Sequence, residues 1–351
     1  MPNQDHTPLK IPLGLDRLKI DNQTVAFVML VLLAMIIAIV NPAFVSVTTV
    51  FDILRNMTVI GIMGMAALIV MLTGGIDISF PAIAALSAYA TIKAFVDFDI
   101  DAPVIVIYAS AMAIGALVGT INGLFVALFR LPALIVTLGM SSLIYGFTLF
   151  FLGSQNIFRV PSSLSTFSRT SIVSIEDSFG RTYSLHPAVF IFIGICIIVA
   201  LVLRYTTFGR GLYAIGGSRE SAMRLGLPVK RYEIFAFVVA GLLAGTAGIT
   251  QAMFFRNANP GAFSGMELDV LAAVVLGGAS VTGGRGTVSG AIIGITFVVL
   301  LTSSLVLIGI PAAWQKVFVG AALLIGIGVA GYRATRKQAS APIPFSRMKG
   351  Q

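Results

Sequence analysis

Charge is missing from long stretches of this chain, and that pattern constrains its fold more than any other feature. Ten segments contain no Asp, Glu, Lys or Arg: 22–51, 56–76, 78–92, 102–129, 131–158, 182–203, 234–255, 270–284, 286–315 and 317–332. A helix that crosses the hydrocarbon core of a bilayer needs about 20 apolar residues, and seven of the ten segments are long enough. The other three, 78–92, 270–284 and 317–332, need flanking charges that reach the interface or a broken helix covered by protein. Only 11% of the residues are charged, whereas a soluble domain carries about 25%. With a mean hydropathy of +0.98, the chain is expected to be an all-α integral membrane protein of about ten transmembrane helices.

The basic residues then set an orientation. With a cytoplasmic N-terminus and ten crossings, sixteen of the 23 Lys and Arg fall inside, six of them between 204 and 232. This excess satisfies the positive-inside rule. It places both termini in the cytoplasm and the acidic group Asp97, Asp99 and Asp101 outside, and it accounts for the net charge of +9 without nucleic acid. The expected organisation is a cytoplasmic tail over 1–21, a transmembrane unit over 22–332 in contact with membrane lipid, and a cytoplasmic tail over 333–351. The N-terminal stretch has no apolar core of the kind a cleaved signal peptide carries.

Two polar connections interrupt the apolar pattern. The outer one, 153–187, is Ser- and Thr-rich and long enough for a short helix or hairpin of its own, a plain solvated link being the alternative. The inner one, 204–233, holds a candidate helix from Arg219 to Leu225, with Ser218 as N-cap, Gly226 as terminator and Pro228 beyond. A two-turn helix is marginal in water, so it is expected to dock on something. Leu68–Leu86 and Leu271–Ile292 echo each other: an apolar run, a Gly-Gly pair, a short polar stretch and another helix. In the ten-helix scheme both runs head inward, which makes this a parallel internal pseudo-repeat; convergence on glycine-rich close packing is the alternative.

The chemistry on offer is that of binding. One cysteine (Cys196) and two distant histidines (His6 and His186) supply neither a disulfide framework nor a metal centre, and no cofactor is expected. No GxxxxGK[ST] occurs; Gly283–Gly290 is glycine-rich but lacks the lysine that holds a phosphate. Asp77 and Ser79 lie between two apolar runs, and Glu267 and Asp269 open the 270–284 segment, where a helix N-terminus favours acids. Neutral polar residues inside the segments include Asn122, Thr137, Ser141, Ser142 and Thr148. We assign Asn122, Thr137, Ser141, Asp77 and Ser79 as candidates to line a solute path. Gluing helix to helix is the alternative role of the neutral residues inside the helices, and a solvated or capping carboxylate at the start of the next helix is the leading alternative for Asp77.

Taken in order, several motifs resemble the inner-membrane permeases of ATP-binding-cassette sugar importers of the ribose, xylose and arabinose type. They are Leu72-Thr73-Gly74-Gly75-Ile76-Asp77-Ile78-Ser79, Asn122-Gly123-Leu124, Val136-Thr137-Leu138-Gly139-Met140, Thr207–Gly217 and Val275-Leu276-Gly277-Gly278-Ala279-Ser280. They are spread from about Asn22 to Gly331. The resemblance implies a cytoplasmic ATPase subunit, a periplasmic sugar-binding protein and a second permease copy as partners. It also gives Arg219, Glu220, Ser221, Met223, Arg224 and Gly226 the role of docking into the ATPase, with no catalytic residue on this chain. Phe80-Pro81 departs from the family pattern of a small residue and glycine. Some relatives of this family import autoinducer-2 and others polyols. A secondary transporter acting alone and a non-transporting membrane scaffold are the rival readings.

Overall fold

The computed structural model describes residues 22–176, 182–307, 309–311, 314–321, 324 and 328. The tails over 1–21 and 333–351 lie outside the described residues. In chain order the helices are α1 (Asn22–Val40), α2 (Val47–Leu72), α3 (Phe80–Asp97), α4 (Val104–Phe129) and α5 (Ala133–Phe147), the last continued by a π-helical turn over Thr148–Leu152. A short α6 (Ser162–Phe167) and a hairpin, β1 (Val173–Glu176) paired antiparallel with β2 (Thr182–Leu185), follow. Then come α7 (Ala188–Tyr205), α8 (Thr207–Gly217), α9 (Arg219–Arg224), α10 (Val229–Phe255), α11 (Glu267–Leu276) and α12 (Val288–Leu307).

Eight of these, α1 to α5, α7, α10 and α12, are long and apolar enough to cross a membrane. The expected segment 270–284 does not form one such helix. Helix is confined to the ten residues of α11, about 15 Å at 1.5 Å per residue, and the chain beyond it turns through Gly277–Thr287. The expected segment 317–332 is helical at the residues described within it, and the others lie outside the described set. Charge-free runs also misplace helix starts. α2 begins at Val47, where Ser46 accepts the Thr49 N–H, so Asp52 and Arg55 sit inside the helix. α10 likewise takes in Lys230, Arg231 and Glu233 in its first turns. Charged residues near helix ends reach the interface from within the helix.

Contacts between helix ends define the two ends of the bundle. At one end α6 and the hairpin form a small cap. There Ile157 pairs with Ala258, Arg159 bonds Asp99, Ser162 bonds Asp101 and Arg55 donates to the Phe254 carbonyl. At the other end, near α9, the Gly284 N–H donates to the Leu72 carbonyl, Tyr213 to the Gly286 carbonyl and Gln23 to Thr287. The outer connection therefore carries both a short helix and a hairpin.

α2 and α10 are the central helices. Every residue of α2 from Gly61 to Leu72 is buried, whereas α1, α5 and α7 turn many apolar side chains outward, as helices facing lipid do. The most extensive helix pair is α4 with α10, and glycine explains it. On α4, Gly115, Gly119 and Gly123 recur every four residues; on α10, Gly241, Gly245 and Gly248 face α4 or its neighbour α3. A Cβ on Gly115 would stand 2.1 Å from the Gly241 carbonyl oxygen, one on Gly119 2.3 Å from that of Phe237, and one on Gly248 2.1 Å from that of Ala84. Without side chains the two backbones come into direct contact, the packing that replaces hydrophobic attraction inside a bilayer. The spacing on α4 is a repeated G-x-x-x-G, a pattern that does not name its partner helix.

Candidate functional site

The segment between α2 and α3 is held by a buried polar network. Gly74 adopts φ +86° and turns the chain out of α2. Asp77 then closes a local turn: its Oδ1 accepts the Ser79 N–H at 2.7 Å and the Ser79 hydroxyl at 2.6 Å. Asn122 Nδ2 on α4 donates to Ser79 Oγ at 2.7 Å. Thr137 Oγ1 on α5 accepts the Ile78 N–H at 3.2 Å and donates to the Ile76 carbonyl at 3.3 Å. All four side chains are buried, and Asn122 Oδ1 has no hydrogen-bond partner. Four of the five residues assigned to the path are thus brought together by two helices, α4 and α5, and the turn between α2 and α3. The fifth, Ser141, lies one turn further along α5. Ser142 and Thr148 instead donate to backbone carbonyls of their own helix.

Ser141 opens on a cavity of about 150 Å³ lined also by Pro81, Tyr145, Phe263, Ser264 and Glu267. This cavity shares Ala85 and Phe263 with a second one of about 220 Å³ that adds Gln251, Asn257 and Asn259. The second shares Gln251 and Phe255 with a third of about 470 Å³, lined by Asp52, Arg55, Asn56 and Ser303. The series runs from the cap end towards the Asp77–Asn122 network. Its walls owe their shape to the irregular stretch 256–266, which leaves α10 through Arg256 at φ +50° and re-enters α11 after Gly265 at φ +80°. Glu267 and Asp269 do fall in the first turn of α11; Glu267 lines the cavity and Asp269 pairs with Lys316. Gln251, Tyr145, Asn257 and Asn259 were missed by sequence reasoning. Gln251, a neutral polar residue inside an apolar segment, carried the same signal as Asn122.

At the far end, α9 forms as its local sequence demands. Ser218 Oγ accepts the Ser221 N–H at 3.2 Å, and Gly226, at φ +80°, ends the turn with its N–H on the Met223 carbonyl. Ala222 is buried, Met223 and Leu225 are exposed, and Glu220, Ser221 and Arg224 face outward with them. A pairing of Glu220 with Arg224, four residues apart, is not made. Arg219 instead bonds Glu233 of α10 at 2.9 Å, pinning α9 to the central helix. Residues 207–217, taken as loop in the sequence, form α8, capped by the Thr206 hydroxyl.

α8 ends in a junction of glycines. A Cβ on Gly216 would lie 2.0 Å from the Leu72 carbonyl oxygen and 2.3 Å from the Gly284 nitrogen. Gly283 and Gly284 hold φ +90° and +70° and lie against Gly74 and Gly217. The end of α2, the turn after α11 and the helix leading into α9 therefore meet backbone to backbone. The two echoing stretches are neighbours here. Gly64 lies against Val274, and Leu72 bonds Gly284, so α2 and α11 run in the same direction. The junction thus places the chain just before α9 beside Leu72 and, through Gly283, against Gly74, three residues before Asp77.

Residues 49–327 match the family model described as branched-chain amino acid transport system / permease component. The ribose import permease protein RbsC of Escherichia coli (strain K12) is 32% identical over 304 residues, covering 86% of this chain and 91% of that protein. The autoinducer 2 import system permease protein LsrC of Enterobacter sp. (strain 638) is 34% identical over 302 residues, covering 86% and 84%. The L-arabinose ABC transporter permease protein AraH of Azospirillum brasilense is 29% identical over 320 residues, covering 91% and 90%. No solved structure matches. With the family profile aligned to well over half of its length and its apolar helices in place, the chain belongs to this permease family, as a multi-pass inner-membrane transport subunit of an ATP-binding-cassette importer whose ATPase is a separate chain.

Proposed function

We propose that this permease imports a monosaccharide or a similar polyhydroxylated solute through the neighbouring cavities, the innermost of which lies beside α5. The observation that carries this reading is the lining: Ser141, Tyr145, Ser264, Gln251, Asn257 and Asn259 offer neutral donors and acceptors along one route. A hydroxylated solute leaving water needs such partners, because an unmade hydrogen bond costs about 1–3 kcal/mol when buried. The ribose and arabinose permeases among the relatives point to the same solute class. The autoinducer-2 permease keeps that signal, or a polyol, as the second reading. Asp77, Ser79, Asn122 and Thr137 then form the closed floor of the path, and the free Asn122 Oδ1 is an acceptor for a solute hydroxyl when the floor opens.

The orientation proposed puts the cap end in the periplasm, where a sugar-binding protein delivers solute, and the α9 end in the cytoplasm with both chain termini. Ten crossings fit this scheme if the stretch 256–276 counts as one and the helix beginning at Trp314 as another. Arg219, Glu220, Ser221, Met223, Arg224 and Gly226 form the surface that meets the ATPase. Met223 is a flexible apolar anchor of the kind grooves accept. A second permease copy, identical or paralogous, completes the path against the open face of α5.

The test is uptake of radiolabelled ribose and arabinose into proteoliposomes holding the permease, its ATPase and its binding protein, with autoinducer-2 as competitor. Uptake that needs ATP and is lost in Met223→Asp supports the proposal. Uptake that proceeds without the ATPase, or is unchanged in Met223→Asp, contradicts it and favours a transporter acting alone.

A further inference from the structure

Four cations converge on one groove at the α9 end. Arg130, at the end of α4, joins Arg219 of α9 and Lys230 and Arg231 of α10 around a space of about 390 Å³ floored by Met223 and Leu227. Arg219 is engaged with Glu233, yet its Nε is buried and has no partner. Among the described residues Arg130, Lys230 and Arg231 form no ion pair. The first turn of α10, a 27-residue helix, adds the positive end of its dipole to the same space. Three of the four cations thus stand together without a counter-charge, and like charges so held repel one another, so the groove favours an anion.

Its surroundings say which anion. Phe125, Leu128 and Phe129 on α4 precede Arg130 and are exposed, as are Leu131 and Leu134 after it. The groove therefore sits on the line where an outward apolar wall gives way to basic side chains. A soluble phosphate would use the charges and leave the wall unused; an acidic protein segment would do the same. A molecule with a phosphate head and acyl chains fits both halves.

We propose that Arg130, Lys230 and Arg231, beside the Arg219–Glu233 pair, form a binding site for the headgroup of an anionic phospholipid, whose chains lie along α4 and α5. Three of the four cations flank the turn between α9 and α10, so the bound headgroup braces the coupling helix against the membrane. The site requires a membrane protein and this groove, and it stands whether or not the transported solute is a sugar.

The experiment is native mass spectrometry of the purified full-length permease after exchange into equal amounts of phosphatidylglycerol and phosphatidylcholine. At about 1 kcal/mol per basic residue near an anionic surface, the wild-type protein retains phosphatidylglycerol in preference by about tenfold or more. The triple variant R130Q/K230Q/R231Q falls to near parity, while the control R204Q/R210Q, which removes two charges from the same end, keeps most of the preference. Thermal unfolding of each variant checks that it is folded. Equal retention of both lipids by the wild type overturns the proposal. So does a wild-type preference in the triple variant, or an equal loss in the control, which would reflect general surface charge. Loss of ATPase binding in lipid-free detergent by a triple variant that still prefers phosphatidylglycerol would instead mark a protein-docking surface. Because lipid retention needs no transport, failure here and failure of the proposed function are separate results.

Discussion

Glycines on neighbouring helices serve opposite ends in this protein. On α4, Gly115, Gly119 and Gly123 bring backbone against backbone, and no Cβ fits at any of the three. On α5, which follows α4 after a three-residue turn, Gly139 and Gly146 have no described atom within 4 Å of where a Cβ would be. The first set closes a seam and the second leaves a face open. A membrane permease needs both: a fixed scaffold that does not yield when the ATPase pulls, and a wall with room beside it. The comparison teaches that glycine spacing in an apolar segment marks close approach only where the backbone of another helix faces it.

Substitutions at the seam are the severest way to break this contrast. Gly241→Leu sets a side chain where even a Cβ would lie 2.1 Å from the Gly115 carbonyl oxygen. Overpacking of an ordinary core costs about 1–3 kcal/mol, and here backbone would have to move. We expect little folded protein, measured as the monodisperse fraction after extraction in mild detergent. A Gly241→Leu protein that folds and transports normally would remove the seam from the account.

The polar floor comes next. Ser79→Ala takes from the buried Asp77 carboxylate its hydroxyl donor and from Asn122 its acceptor. Stranding such groups costs about 1–3 kcal/mol, seen as a lowered unfolding temperature and a leak of solute without ATP. Ser79→Thr keeps the hydroxyl and should recover part of both. Gln251→Ala, on the cavity wall, should leave unfolding unchanged and lower uptake several-fold, since one hydrogen bond to solute is worth about 0.5–1.5 kcal/mol.

The open glycines should yield smaller effects. Gly139→Ala adds a methyl group to empty space and favours helix by up to about 1 kcal/mol, so stability measured by thermal unfolding should be unchanged or slightly raised. Loss of folding would show that Gly139 is in close contact with another segment or with the second permease copy proposed against α5.

The smallest effect belongs to the cap. Burial holds the His186 imidazole below its ordinary value of 6.5, against the opposing pull of the Phe167 carbonyl and with a minor contribution from Arg55. Its Nδ1 accepts the Ala188 N–H at 3.0 Å, so the neutral ring with the proton on Nε2 is the form that fits. The unfolded chain takes up this proton more readily than the folded one. The contribution to stability is therefore complete above about pH 6.5 and is lost as pH falls from there through the lowered value. Limited proteolysis within 153–187 should accelerate over that range in wild type and lose its pH dependence in His186→Asn.

How much of this was legible in the sequence depends on range. Ser218, Gly226 and the α9 turn obey rules that reach three or four residues, and they were readable. So was the gathering of small polar residues near Asp77, because isolated polar groups in apolar runs stand out. The Arg219–Glu233 pair spans the turn between two helices, beyond the reach of such local rules. The expected segment 270–284 is helical only as part of α11, Glu267–Leu276, because the charges of Glu267 and Asp269 cut off the first turn of that helix and the irregular stretch before it carries no periodic signal. The cavities belong to no single segment. The two smaller ones exist where 256–266 fails to fill the space between α3, α5 and α10, and the third lies between α2, α10 and α12, which composition does not record.

The central claim is that Ser141 lies in the open part of the path and Asn122 in its closed floor. Cys196 is the sole cysteine of the chain, so Cys196→Ala gives a background for single-cysteine labelling. The decisive measurement is the rate at which a membrane-impermeant thiol reagent, added from the periplasmic side, modifies Ser141→Cys and Asn122→Cys in the intact complex, with and without ATP and loaded binding protein. The account predicts rapid modification of Ser141→Cys at rest, and modification of Asn122→Cys only during turnover. Asn122→Cys reacting at rest as fast as Ser141→Cys, or Ser141→Cys remaining unreactive in both conditions, would contradict it.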